Sequence, residues 1–134
     1  MRSLAAALLV LATACATSGK PAEPPSIIGS YLLTRIDNRS IPTYSPTEPN
    51  VIVERGALVL GRAGAFSLTL VARNSPQFPP TERSIRGSYE ESGNTLTVTP
   101  SDGSGAPITY RVARAGIRLT LHDSGGHRYE FDAR

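Results

Sequence analysis

From Ile27 onward, apolar residues recur at every second position in short runs broken by Gly, Pro, Asn and Asp. That period belongs to strands with one buried face, since a helix would repeat near 3.6. It predicts an all-β chain of about eight strands, near 27–36, 51–61, 64–72, 82–91, 94–100, 107–113, 116–123 and 127–132. A one-residue slip would turn every apolar side chain to the wrong face, so each hairpin carries its own register test. Pairing Leu121 with Tyr129 and Leu119 with Phe131 leaves Ser124-Gly125-Gly126 as a three-residue loop ending in glycine. The outer face then sets Thr120 against Glu130 and Arg118 against Asp132, an opposite-charge contact. Pairing Leu60 with Phe66 and Leu58 with Leu68 leaves Arg62-Ala63-Gly64. Pairing Tyr89 with Leu96 and Gly87 with Val98 leaves Ser92-Gly93 as the turn. Pairing Val112 with Ile117, Tyr110 with Leu119 and Ile108 with Leu121 leaves Arg114-Ala115.

Eight strands present one apolar face, and no helix exists to cover it. The sheet must therefore curl onto itself or fold over. Short loops between neighbours favour an antiparallel up-and-down meander barrel, its first strand closing against its last. Gly29-Ser30-Tyr31 on the first strand is similar to the Gly-x-Trp opening of lipocalins, with Tyr in place of Trp. Asn38-Arg39-Ser40-Ile41-Pro42, a second Gly-x-Tyr at Gly87-Ser88-Tyr89, and the ending from Gly126 to Phe131 extend the likeness over about residues 27–132. The domain thus resembles the small lipocalin-like (calycin-type) barrels of bacterial lipoproteins. It lacks the Trp, the disulfides and the C-terminal helix of typical lipocalins, and no ligand residue transfers by motif.

The N-terminus has a different character. Met1-Arg2-Ser3 supplies a charge, Leu4 to Leu11 an apolar run, and Ala12-Thr13-Ala14 a small-residue stop before Cys15. That is the layout of a signal peptide, and the run is shorter than the roughly 20 apolar residues a transmembrane helix needs. With the cysteine directly after it, Leu11 to Cys15 resembles a lipobox, so residues 1–14 read as signal peptide and Cys15 as the lipidated mature N-terminus. An ordinary signal cut near Ala14 or Ala16 is the alternative, keeping the export and losing the anchor. The lipoprotein resemblance implies that Ala16, rather than Asp, after the cysteine directs the chain to the outer membrane of a Gram-negative cell. Residues 15–26 continue as a proline-rich tether containing Lys20-Pro21-Ala22-Glu23-Pro24-Pro25, and residues 27–134 form the single folded domain. A lipid on Cys15, the sole cysteine, leaves no disulfide available.

Basic residues outnumber acidic ones by 14 to 11 and are scattered singly, which gives no basic stripe for nucleic acid. Four of the five tyrosines, Tyr31, Tyr89, Tyr110 and Tyr129, fall on the inner face with Phe66 and Phe131. Buried hydroxyls need partners, so these six are the candidate walls of an interior site for a small apolar molecule. The alternative is a filled barrel with each hydroxyl near a mouth. His122, Asp123, His127 and Glu130 are close in sequence, but the register separates the two histidines onto different faces, and neither a metal site nor a cofactor is expected. No Gly-x-Ser-x-Gly elbow exists, and Ser104 in Gly103-Ser104-Gly105 is a loop residue, so no catalytic residue is assigned. Two proline-rich loops, 37–50 and 73–81, carry Tyr44 and Phe78 as candidate contact residues, which should lie at a common barrel mouth or on one exposed patch if they act together.

The resulting expectation is an exported, lipid-anchored, non-enzymatic β-barrel in the cell envelope, holding a small apolar ligand. The alternative is an interaction module with a filled core and contacts made by the Tyr44 and Phe78 loops.

Overall fold

The computed structural model describes residues 26–103 and 105–134. The signal peptide, Cys15, the tether up to residue 25, and Ser104 lie outside the described residues. Ten strands follow one another: β1 (Gly29–Ile36), β2 (Arg39–Ser40), β3 (Thr43–Tyr44), β4 (Val51–Leu60), β5 (Ala65–Asn74), β6 (Thr81–Ser92), β7 (Thr95–Pro100), β8 (Ile108–Ala115), β9 (Arg118–His122) and β10 (Arg128–Ala133). The eight long ones form a closed antiparallel up-and-down barrel. β4 to β10 pair with their neighbours in sequence, and β1 closes the ring by pairing with both β4 and β10. The architecture is consistent with a calycin-like fold. Helical structure among the described residues is one 3-10 turn, Arg62–Gly64.

Two hairpins adopt the expected register. Leu121 faces Tyr129 and Leu119 faces Phe131, with Arg118 Nε donating to Asp132 Oδ1 at 3.0 Å on the outer wall. Leu60 faces Phe66 and Leu58 faces Leu68. The other two hairpins slip, and for one reason. β6 and β7 pair Tyr89 with Val98 and Glu91 with Leu96, so the turn is Gly93-Asn94 and not Ser92-Gly93. β8 and β9 pair Val112 with Leu121 and Ala115 with Arg118, so the turn is Gly116-Ile117 and not Arg114-Ala115. In both, glycine takes the first turn position at φ +60°, where a left-handed backbone matches the twist of the flanking strands. Both slips preserve strand parity, so the inner faces survive. Ile117 is the exception: expected inside, it sits in the turn and is 66% exposed.

The core extends beyond the residues that strict alternation marks. In β1 the buried positions run Tyr31, Leu33, then Ile36; in β4 they run Val51, Val53, then Leu58 and Leu60. The register shifts between Leu33 and Arg35, and again between Val53 and Arg55. Each irregularity inserts a residue and changes which parity faces inward. Gly56 follows the second one, and a Cβ there would lie 2.8 Å from Leu33 Cβ and 2.9 Å from Leu70 Cδ2. Those two side chains fill the barrel across it.

The loop 37–50 is more ordered than a plain connection. Asp37 and Asn38 both have positive φ and turn the chain tightly, so that β2 folds back on β1. β3 then pairs with the start of β4. The meander sorts the connections by length. One end carries segments 37–50, 75–80, 101–107 and 123–127, and is termed the loop end. The opposite turn end carries 61–64, 93–94 and 116–117, together with Ser26 and Arg134.

Candidate functional site

All six interior candidates point inward, and Tyr31, Phe66, Tyr110 and Phe131 are buried. Their hydroxyls do not converge. At the turn end Tyr31 donates to the Ile27 carbonyl at 2.7 Å, and Tyr89 donates to the Gly61 carbonyl at 3.1 Å. At the loop end Tyr129 donates to Asp123 Oδ2 at 3.3 Å. Burial pushes all four hydroxyls to a higher pKa. The Asp123 carboxylate adds to this for Tyr110 and Tyr129, Glu91 adds to it for Tyr89, and Arg114 opposes it for Tyr31. At neutral pH each is a phenol. The middle of the barrel is occupied by Leu58, Leu96, Leu119, Leu121 and Val98, all essentially without exposure.

A sheltered, partly open space lies at the loop end. A cavity of about 80 Å³ is bounded by Ile36, Val51, Val53, Leu70, Ala72 and Tyr129, and capped by the segment Ser45 to Glu48. Water occupies about 30 Å³ per molecule, so this volume corresponds to two or three waters, whereas small-molecule sites run from about 300 Å³ upward. The cap is clasped: Arg83 Nη1 donates to both oxygens of Glu48, at 2.7 and 2.6 Å. Ser45 Oγ accepts from the Thr47 and Glu48 amides, each at 3.3 Å, and the Ser45 amide donates to the Val51 carbonyl at 2.7 Å.

Beside the cap, a polar network ties the rim together. Asp37 Oδ1 accepts from the Arg128 amide at 2.8 Å, and Asp37 Oδ2 lies 3.0 Å from His127 Nδ1. The Arg128 amide first, and then the His127 ring, hold the Asp37 carboxyl below its usual pKa against the opposing effect of desolvation. Asp123 Oδ1 accepts from the His127 amide at 2.9 Å. These contacts join the β1–β2 turn to the β9–β10 loop. Asp123 and His127 therefore serve as loop closures, while His122 is on the outer wall facing Arg128 and Arg111. Among the described residues, no three of His, Cys, Asp and Glu stand where they could share a metal ion.

Glu130 departs from its sequence pattern. It is on the outer face, as the register requires, yet it is only 3% exposed. Arg128 Nη2 reaches its Oε1 at 2.8 Å, and Arg118 Nη1 lies 3.8 Å from the same oxygen. Two arginine stems spread across the wall shield the carboxylate from water. Strand periodicity says which way a side chain points and nothing of what its neighbours lay over it.

Tyr44 and Phe78 are the most exposed aromatic residues of this end, at 58% and 57%. Tyr44 ends β3, and Phe78 rides a turn in which its amide donates to the Ser75 carbonyl at 3.3 Å. Their loops are joined directly, because the Ser75 amide donates to the Asn50 carbonyl at 2.8 Å. Both rings are thus held at one mouth and neither plugs it. Tyr44 also lines a shallow groove with Ile36, Asp37, Arg39, Ser45 and Pro46.

Compared with known protein families, curated proteins and solved structures, the chain matches none. The structure itself defines the class: an all-β, closed eight-stranded antiparallel barrel, consistent with a calycin-like fold.

Proposed function

We propose that this chain is an exported, lipid-anchored, non-enzymatic lipocalin-like barrel whose working surface is its loop end, where it contacts a protein of the cell envelope. The observation that carries this reading is the pair of exposed aromatic rings, Tyr44 and Phe78, on hydrogen-bonded loops at one mouth of a filled barrel. Aromatic side chains are enriched at interface centres because they bring large contact area at small entropic cost. Prolines 42, 46, 49, 76, 79 and 80 flank them and lower the ordering cost of binding. The test is photo-cross-linking in the native envelope, with the cross-linker at Pro46 beside the rings. A discrete adduct that vanishes in the Tyr44→Ala, Phe78→Ala double variant supports the reading; an adduct unchanged by both substitutions refutes it.

A second reading rests on the capped cavity. Lifting Ser45 to Glu48 off the mouth would expose Ile36, Val53 and Leu70, an apolar surface for a small ligand steered by the Tyr129 hydroxyl. Native mass spectrometry of the chain after exposure to lipid extract from its own envelope separates the two. A discrete added mass that survives dilution, and that Glu48→Ala weakens, would favour the ligand.

A further inference from the structure

The turn end carries a surface for which the loop-end contacts have no use. Four exposed apolar side chains, Ile28, Leu32, Val59 and Ile117, belong to it. Leu32 and Val59 project from the outer faces of β1 and β4. Leu32 pairs with Ala57 and Ser30 with Val59, which makes the two side chains diagonal neighbours, roughly 7–8 Å apart. Ile28 immediately precedes β1. Ile117 sits in the β8–β9 turn, where its carbonyl accepts from the Ala133 amide at 2.8 Å, against the end of β10. Four arginines surround them: Arg62 on the 3-10 turn, Arg114 and Arg118 flanking the β8–β9 turn, and Arg134, whose amide donates to the Ser30 carbonyl at 3.0 Å. Acids within this sector include Asp132, which Arg118 engages at 3.0 Å, and Glu82, which lines an outer-wall pocket with Leu32, Arg55 and Arg134. Glu90 and Glu91 also lie toward this end, but on β6, which is four strands from β10 in either direction around the ring. The acidic hairpin therefore lies across the ring from β10, while the Arg62 turn packs against β6, with Tyr89 donating to the Gly61 carbonyl at 3.1 Å.

The chain also arrives here. Arg114 donates from Nη1 to the carbonyl of Ser26 and from Nε to that of Gly116, which fixes the start of the domain beside the β8–β9 turn. Residues 16–25 separate Ser26 from Cys15, a span of at most about 40 Å even at full extension.

We propose that the turn end is a membrane-docking face that rests on the anionic phospholipid surface of the bilayer holding the chain. Ile28, Leu32, Val59 and Ile117 enter the headgroup region, and Arg62, Arg114 and Arg134 meet lipid phosphates. The proposal rests on the reading of Cys15 as the lipid anchor. That anchor keeps the domain close to the bilayer and so reinforces a contact that the free protein also makes. The acidic β6–β7 hairpin tilts away from the surface, and the Tyr44 and Phe78 loops are presented at the far end, clear of the lipid.

The test uses the full chain in vesicles of phosphatidylethanolamine with and without phosphatidylglycerol. Spin labels go at Ile117→Cys and, in a second sample, at Phe78→Cys; an acylated Cys15 does not compete for the label. The mass of the N-terminal peptide reports the anchor separately. The expected result is an acylated chain whose 117 label is accessible to oxygen and shielded from aqueous nickel, while the 78 label stays aqueous. An acylated chain with both labels equally aqueous overturns the docking and leaves the anchor standing. A chain without acyl mass overturns the anchor, and docking is then read from vesicle flotation. Flotation should require phosphatidylglycerol and fall about fivefold for each of Arg62→Ser and Arg134→Ser. Flotation that ignores headgroup charge, or none at all, overturns the docking, as does a 117 label immobilised by a protein and not by lipid.

Discussion

Replacing Gly87 by alanine tests whether the barrel is as tightly coiled at β6 as the geometry requires. β6 pairs with β5 through Thr81 to Ser88 and with β7 through Gly87 to Ser92, so both ladders overlap at Gly87 and Ser88. The strand must coil strongly there. A Cβ at Gly87 would lie 2.0 Å from the Thr99 carbonyl oxygen and 3.0 Å from Pro100 Cα. Ordinary contact begins near 3.4 Å, so β6 and β7 would have to separate by the difference, 1.4 Å. Such a shift strains the hydrogen bonds around the Ser88–Thr99 pair, roughly 1–3 kcal/mol for two bonds at 0.5–1.5 each. Overpacking adds a similar amount, about 1–3 kcal/mol. The expected loss is about 2–6 kcal/mol, a large share of the roughly 5–15 kcal/mol that holds a domain folded. At about 4 °C per kcal/mol for a domain of this size, the midpoint should fall by about 8–24 °C. Thermal and urea unfolding, followed by circular dichroism, would measure it. Gly105→Ala is the control, since nothing lies within 4 Å of its Cβ. Its change should stay within about 0.5 kcal/mol. If Gly87→Ala behaves like Gly105→Ala, the close approach of Thr99 is not real and the account of β6 fails.

Other outcomes follow from the rim, the outer wall and the core. The Tyr44→Ala, Phe78→Ala double variant should keep its unfolding free energy within about 0.5 kcal/mol per site while losing the envelope cross-link, because both rings are largely solvated. Glu130→Ala should cost about 1–2 kcal/mol in urea unfolding. That is less than the 3–5 kcal/mol of a fully buried pair, since Arg118 and Arg128 are 38% and 43% exposed and can turn to water. Asp37 has a depressed pKa in the fold, so its stabilisation is complete above its ordinary value near 3.8 and disappears as pH falls through the lower folded value. Asp37→Ala should therefore lower stability at neutral pH and flatten the acid limb of a stability–pH curve; an unchanged limb would remove Asp37 from the rim. Leu58→Ala, in the unexposed centre, should cost about 2–5 kcal/mol by calorimetry.

Fold class and strand order are legible from alternation because a meander places each strand beside its neighbours in sequence, so local pairing suffices. Ile36, Val51 and Val53 escape that reading because irregularities in β1 and β4 change parity partway along the strand. The visible trace is the shift of the apolar positions from odd to even numbers. The turns at Gly93 and Gly116 required knowing that glycine belongs first in these two-residue loops, and Asp37-Asn38 was a tight-turn signal inside a stretch that reads as open loop. The common mouth for Tyr44 and Phe78 follows from topology, since one loop precedes β4 and the other follows β5. The tying of tyrosine hydroxyls to the two rims does not, because Ile27 and Gly61 accept through backbone atoms that every residue carries. Residue type cannot mark such an acceptor.

The ring is closed by the pairing of β1 with β10, which joins segments about a hundred positions apart in the chain. A ribosome delivers β1 first and its second neighbour last. Throughout synthesis β1 can engage β4 along one edge, while its other edge waits for residues 128–133. No intermediate length can seal the ring, and such a contact is slow to form because its loop entropy is lost before the gain. A chain cut short before β10 would leave β1 and β9 as open edges with the apolar interior between them, a template for pairing with other copies. Closure thus acts as a proofreading step on length, in which only a chain that has reached its final strand can hide its interior.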